Sequence, residues 1–570
     1  MIFNFLIFLL FSIIIILSTI GYGLAFSNKI LGNSKYINLP LKGILGIFFL
    51  YLLSSLTHII LPHNFTHNLV VLSIGLILFF KLFKKEKTDK KQFNHILFFF
   101  VCLFLGFLIS KTNEDFPYYH LPNSLQFASH KLEIGLGNLN HGFKHISSLF
   151  LINSLFYLPI VEIYLFNITN FMLQIFFFSS LTVILQRNYN NNFTYIIVLT
   201  ILVTYITKFY RLSEYGADYF GQFLVILSFV IASFSFTNKK LSLVDKKELF
   251  SISIYLVIFA ITIKFLYSIY LLIPLFIFFY MCKSSEIFKF IFDKKFLILS
   301  SITLFSVFFF NFVATGCFLY PMIFTCLTET VDWSISKDTI NYLNSYYKAW
   351  SKAGIGTGYG VEDPDAYISS FGWIKNWFEN YFFTKVSDYI LVILFVSLIL
   401  FFTFYKDLKK KNYLNINIKI LYISYLSIII VFCLWFFNFP SLRYAGYSVV
   451  FLIIVVPLCI FFSKRIDFND YKVKKKFKIL IVISLIIFNF KNVQRLNHEI
   501  NLKSYEHHNF FNFPFYWVDN VEYETFTVNA KSFNEVTNNK SCWNVPSTCI
   551  KNRNYLDIQK KGNYFFYKKK

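Results

Sequence analysis

The sequence predicts an all-α polytopic membrane protein of about fourteen membrane helices, with a small tail outside the bilayer. Three observations carry that prediction. Hydrophobic residues make up 56% of the chain and aromatic residues 22%, with a mean hydropathy of +0.56, more apolar than an ordinary soluble domain. Apolar runs of about 17–25 residues recur along the whole length, as bilayer-crossing helices require. The formal charge of +24 is gathered in short lysine-rich segments between those runs, at 81–91, 239–247, 283–295, 406–411 and 464–478. In a soluble chain such a charge would point to nucleic acid. Here the bias of basic loops toward the cytoplasm accounts for it, and no nucleic-acid partner is expected.

In chain order the predicted spans are 2–26, 41–60, 68–83, 94–110, 165–186, 194–210, 219–236, 249–263, 266–281, 296–313, 388–405, 420–437, 447–462 and 478–490. The first lacks a basic start and a small-residue cleavage site, so it reads as a retained helix rather than a cleaved signal. Alternating the spans between basic loops puts both termini outside. It also puts 111–167, 210–219, 315–387, 438–446 and everything from 491 onward outside. Basic loops on both sides of 249–282 force a tight hairpin with its tip near Lys264. The run 143–160 is apolar but interrupted, and counting it as a span would upset the alternation; it is assigned to an interfacial helix lying along the outer surface. The chain thus divides into a membrane domain, 1–490, and an external tail, 491–570, polar and aromatic and long enough for at most a small subdomain. No internal repeat is apparent.

Of the eight cysteines, Cys102, Cys282, Cys433 and Cys459 fall in or beside spans and read as small buried hydrophobes. Cys542 and Cys549 enclose a short Pro-containing loop in the tail, and an external tail permits a disulfide there. No second Cys/His pair with ligand spacing lies near them, which argues against zinc. Cys317 and Cys326, at the outer mouth of a span, either pair or stay free.

Polar residues at the span ends mark the candidate site. Glu114 and Asp115 end the apolar run 96–110 and are followed by Phe116, Pro117, Tyr118, Tyr119 and His120. Adjacent acids split their pKa values, and one at a membrane edge can act as general base toward a hydroxyl or hold a divalent metal; solvated loop acids are the plain alternative. Tyr118 and Tyr119 offer flat faces for a sugar ring, and His120 offers a titratable imidazole. Arg211, Glu214 and Asp218 fall on one face if 211–218 is helical, either as a salt-bridge set or as a working cluster. Lys264 and Arg443 are cations at outer span ends, each able to snorkel or to bind phosphate. His141 and His145 have the i,i+4 spacing of a metal pair but no His-Glu-x-x-His pattern, so no metal site is assigned. The glycine-rich 354–360 lacks a preceding strand and a Walker lysine, and reads as a lid or substrate-facing loop.

The stretch Asp115–Phe116–Pro117–Tyr118–Tyr119–His120–Leu121–Pro122, with Arg211–Leu212–Ser213–Glu214–Tyr215–Gly216 and the Cys542–Trp543 to Cys549 segment, resembles a bacterial multi-pass group associated with the GT-C superfamily of membrane glycosyltransferases. The resemblance covers 94–490. It implies a GT-C-like helical bundle in a bacterial inner membrane, with an acid in the first large external loop. It also implies inverting transfer from a polyprenyl-phosphate sugar to a glycan, lipid or protein acceptor. Asp115 would serve as base. Lys264, Arg211 and Arg443 would stabilise the departing phosphate, with Glu214 and Asp218 holding Arg211. Tyr118, Tyr119 and Trp333 would line the sugar site. No organic cofactor is implied, and a divalent metal remains an alternative use of the acids. The sequence departs from the superfamily pattern in carrying three spans before the acidic loop's own helix.

Two rival readings have distinct signatures. A polymerase or ligase acting on polyprenyl-diphosphate chains would place arginines and histidines in the large loop 315–387, which has neither. A transporter or flippase would place charges at mid-bilayer and broken helices in two related halves.

Overall fold

The computed structural model describes residues 2–31, 36–83, 90–108, 115–186, 192–212, 216–238, 241–282, 293–356, 359–409, 418–467, 470–501, 518, 520–537 and 541–570. Among these, eleven helices are long and apolar enough to cross a membrane. Each apolar run in the sequence is helical: α1 Ile2–Phe26, α2 Leu39–His58, α3 Phe65–Phe83 and α4 Lys90–Leu108 come first. After two short helices, α5 Leu121–Ser129 and α6 Ser148–Ser154, come α7 Ile168–Gln186, α8 Asn192–Lys208, α9 Phe220–Thr237, α10 Leu243–Ile263, α11 Leu272–Met281 and α12 Lys294–Thr315. The large loop adds α13 Lys337–Ser351, α14 Pro364–Ser369 and α15 Trp373–Trp377, and the chain returns through α16 Ser387–Phe404, α17 Ile418–Asn438, α18 Tyr447–Arg465 and α19 Tyr471–Asn501.

Close backbone contact builds the first three helices into one unit. A Cβ on Gly21 of α1 would lie 2.0 Å from the Gly75 carbonyl oxygen of α3, and one on Gly46 of α2 would lie 2.0 Å from that of Thr19 in α1. Small residues at such crossings let helices gain dispersion contacts where no hydrophobic drive separates helix from lipid. Helix α9 is buried along its whole length and forms the centre of the bundle.

The helix ends sort into two groups. At one end Lys476 pairs with Asp407 and Tyr36 bonds to Asp245 at 3.3 Å. At the other end the connection 115–167, the α9 entry, Lys264, the large loop, the 439–446 turn and the tail meet.

Several sequence expectations are corrected. The run 143–160 is not an interfacial surface helix: α6 is seven residues long and buried throughout. Its polar groups find partners inward, Ser148 with Thr262 at 2.8 Å and Ser154 with His63 at 2.7 Å, so the run can leave the surface at no hydrogen-bond cost. The tail boundary shifts because α19 runs on past 490. The tail itself is β structure: β3 Tyr523–Val528 pairs antiparallel with β4 Lys531–Val536, which takes β5 Cys549–Ile550 on its other edge, and β6 Leu556–Lys561 pairs with β7 Tyr564–Lys569. Cys433 is exposed on α17 rather than buried.

Candidate functional site

A cavity of about 500 Å³ opens at the second of these groups of helix ends. Asp115, Lys264 and Arg443 line it. Asp115 starts the helical turn Phe116–His120, which carries Pro117 at a first-turn position, where a missing N–H costs nothing. Lys264 is where α10 stops: its backbone is extended, φ −147° and ψ 125°, so the side chain leaves the helix axis toward Asp218. Arg443 sits on a turn with Ala445 in the left-handed region at φ 66°, a conformation costing a non-glycine residue about 1–2 kcal/mol. The surroundings enforce it. Trp377 Nε1 donates to the Pro440 carbonyl at 2.7 Å, the Leu442 N–H donates to the Tyr381 hydroxyl at 2.9 Å, and Tyr270 donates to the Ala445 carbonyl at 2.5 Å.

Asp218 joins the two cations. One of its oxygens accepts from Lys264 Nζ, and the other accepts from Arg443 Nε at 2.6 Å. Arg443 uses a second nitrogen to reach Asp115. The result is a chain, Lys264–Asp218–Arg443–Asp115, drawn from four separate connections. Burial alone would raise the Asp218 carboxyl, but the Arg443 and Lys264 charges override it and hold the group well below the usual carboxylate range. Gln222 fixes the register. Its amide donates to the Asp218 carbonyl at 3.1 Å and to the Leu442 carbonyl at 3.0 Å, and its oxygen accepts from Ser448 N–H at 2.9 Å.

The family model described as a domain of unknown function, DUF8201, matches residues 5–451. The chain belongs to the DUF8201 family. No curated protein and no solved structure matches it. The DUF8201 match contains all four members of the charged chain and stops before the tail strands.

Histidine and tyrosine side chains make up much of the remaining polar wall of the DUF8201 cavity. Helix α13 turns Asn344, Tyr347 and Trp350 onto its inner face at a spacing of three. The Tyr347 hydroxyl lies 2.9 Å from His141 Nε2 and 3.2 Å from His145 Nε2. Trp350 faces the Arg443 guanidinium at 5.8 Å, and Tyr444 faces Lys264 Nζ at 5.3 Å, within cation–π range. Tyr118 and Tyr119 line the cavity; His120 is buried beside Tyr119, ring centroids 4.3 Å apart. Burial holds all three imidazoles neutral at pH 7, pushing His120 and His145 down to about 4 and His141 to about 3. A Cβ on Gly142 would strike the Tyr118 carbonyl oxygen at 2.4 Å, so glycine there lets the histidine turn lie against the acidic segment.

Other expected site residues fall elsewhere. Arg211 is exposed, stacked on Tyr210 at 5.9 Å and away from the cavity wall. Asp218 pairs with Lys264 and Arg443 instead of holding Arg211. Glu114 and Glu214 lie outside the described residues. Trp333 donates to the Phe312 carbonyl at 3.2 Å and packs on Phe566, away from the cavity. In the glycine-rich segment, β1 Ile355–Gly356 pairs with β2 Tyr359–Gly360; neither strand lines the cavity, and 357–358 lie outside the described residues. Cys542 is bonded to Cys549 at 2.04 Å and Cys317 to Cys326 at 2.06 Å. The loop closed by the second bond supplies Leu319, Tyr320 and Met322 to the cavity wall. Among the described residues no group of three or more His, Cys, Asp or Glu side chains could hold a metal ion. Sequence reading passed over Tyr347, Trp350, Tyr444, Lys144 and the bridging role of Gln222. The spacing of three on α13 was a usable signal for the first two.

Proposed function

We propose that this protein is a bacterial inner-membrane glycosyltransferase that moves a sugar from a polyprenyl-phosphate donor to a cell-envelope glycan, lipid or protein acceptor on the extracytoplasmic face. The observation that carries the reading is Asp115, ion-paired to Arg443 on the wall of a 500 Å³ cavity that Lys264 also lines. A threading with the basic loops on the cytoplasmic side, as the positive-inside bias favours, would put that cavity outside. Charged groups at helix ends rather than at mid-bilayer favour chemistry at the membrane edge over carriage across it.

In this reading the donor phosphate docks against Lys264 and Arg443. It competes with Asp115 for the guanidinium, and so frees the carboxylate as it binds. Asp115 takes the proton of the acceptor hydroxyl. The acceptor oxygen bonds to the anomeric carbon as the carbon–oxygen bond to phosphate breaks, and its electron pair leaves on the phosphate. The two cations, fixed beforehand by Asp218, neutralise that charge without reorganising. Tyr118, Tyr119 and Trp350 offer flat faces for the sugar.

The test is Asp115→Asn in a strain whose surface glycan changes when the gene is lost. Loss of glycan with full expression of the variant is the expected result, with activity down by about 100-fold or more. Normal glycan from well-expressed variant removes Asp115 as the base.

A further inference from the structure

Among the described residues that line the cavity Asp115 is the only acid, and it is ion-paired to Arg443. Of the cations on the wall, Lys264 is paired with Asp218 and Arg443 with both acids. Lys144 lines the wall, is 7% exposed, and has no carboxylate partner among the described residues. A buried ammonium without a counter-charge is among the costliest arrangements a fold can hold. Yet the turn that presents it is firmly built. Asn140 caps it, accepting from Gly142 N–H at 3.0 Å, and Asn123 donates to the Gly142 carbonyl at 3.2 Å. Nearby basic groups add to the field. Burial and Lys569 push Lys144 down to about 8, and Lys144 and Lys551 both act to lower His141.

On the same cavity wall the hydroxyl of Tyr347 is shared by two neutral imidazoles, His141 and His145, the latter next to Lys144 in the chain. One hydroxyl carries one proton, so it can donate to only one of them; the other must donate to it. The trio can therefore reverse its donor direction to meet an incoming acceptor. The geometry points to an anion-binding subsite on this cavity wall, in which Lys144 supplies the charge and Tyr347 with His145 supplies hydrogen bonds to a carboxylate or phosphate ester on the substrate. That the anion belongs to the acceptor rests on the transfer reading above. That an anion binds here does not.

The experiment titrates the purified full chain, in detergent micelles, with sodium glucuronate, inorganic phosphate or glucose at matched ionic strength, following thermal unfolding and Trp fluorescence. Saturable stabilisation by glucuronate or by phosphate, with none from glucose, is expected; which anion acts tells a sugar acid from a phosphoryl group. Lys144→Met and Lys144→Gln should each weaken that anion by about tenfold or more, as loss of a charge-assisted hydrogen bond predicts, while Lys144→Arg retains it. Without anion, Lys144→Met should melt no lower than wild type, because it removes an unpaired buried charge. No saturable response to either anion, or responses unchanged in both neutral variants, overturns the subsite. The readout is independent of transfer: a normal glycan from Asp115→Asn would sink the transferase reading and leave this result standing.

Discussion

At the scale of single residues the site is a relay of charges in which Asp218 is the hub. It touches Lys264 and Arg443 at once, so Asp218→Asn leaves the two cations with no negative charge between them, Lys264 without its partner and Arg443 with Asp115 alone. That change should cost about 1–3 kcal/mol of stability, the penalty of stranding charged partners, and should abolish transfer although Asp218 touches no substrate. Thermal unfolding and the glycan assay together check it; a stable, active Asp218→Asn would make the hub dispensable. The imidazoles give a second prediction. Burial, with Lys264 and Lys144 nearby, takes His145 from its ordinary 6.5 to about 4. Between those values the unfolded chain binds the proton and the folded one does not, so stability is full above pH 6.5 and falls as pH drops toward 4. His145→Gln, which cannot titrate, should make the fall of melting temperature over that window shallower, leaving the shares of His120 and His141. The sequence made Asp115, Lys264 and Arg443 legible because each is a charge at the end of an apolar run. It misled at Arg211, because the shared-face argument needs 211–218 to be helix, while Arg211, Leu212 and Gly216 to Tyr219 are outside any helix and α9 begins at Phe220.

Among elements the tail shows where local sequence stops informing. Strands β4 and β7 close over the 115–167 connection. The Tyr567 N–H donates to the Ile134 carbonyl at 2.9 Å, the Trp543 N–H donates to the Pro117 carbonyl at 3.1 Å two residues from Asp115, and Asn140 donates to the Cys542 sulfur at 3.1 Å. Lys531 and Glu133 form a pair with side chains only 8% and 5% exposed, and Gln126 donates to the other Glu133 oxygen at 2.6 Å. These partners lie 398 positions apart, so neither periodicity nor spacing could announce them, and a polar tail read alone looks like a separate subdomain. Breaking one side of such a pair costs about 3–5 kcal/mol, whereas replacing both by apolar groups is near neutral. Lys531→Met should therefore loosen the tail and make it sensitive to limited proteolysis, and Lys531→Met combined with Glu133→Leu should restore resistance. Equal proteolysis of wild type and Lys531→Met would mean the pair does not secure the tail. The same blindness explains α6. Its apolar run looked interfacial because Thr262 and His63, which satisfy its serines, are remote in sequence.

For the whole molecule the apolar runs and lysine clusters were legible because a bilayer imposes length and charge rules on every span, independent of tertiary detail. What those rules leave open is convergence, and the ion-pair chain supplies it: residues 115, 218, 264 and 443 can meet only if their helix ends share one side of the membrane. In the proposed topology, with the basic loops cytoplasmic, that side is the outer one. The prediction is direct. In a Cys433→Ser background, which removes the exposed native thiol, a cysteine at Ser336 in the large loop should react with a membrane-impermeant thiol reagent in intact spheroplasts. One at Lys406, next to a basic segment, should react only after permeabilisation; both positions are exposed. The reverse pattern would put the cavity in contact with the cytoplasm, where a nucleotide sugar would displace the lipid-linked donor. The charge chain would then have to be reassigned to a different leaving group, because Lys264 and Arg443 would face the inner leaflet.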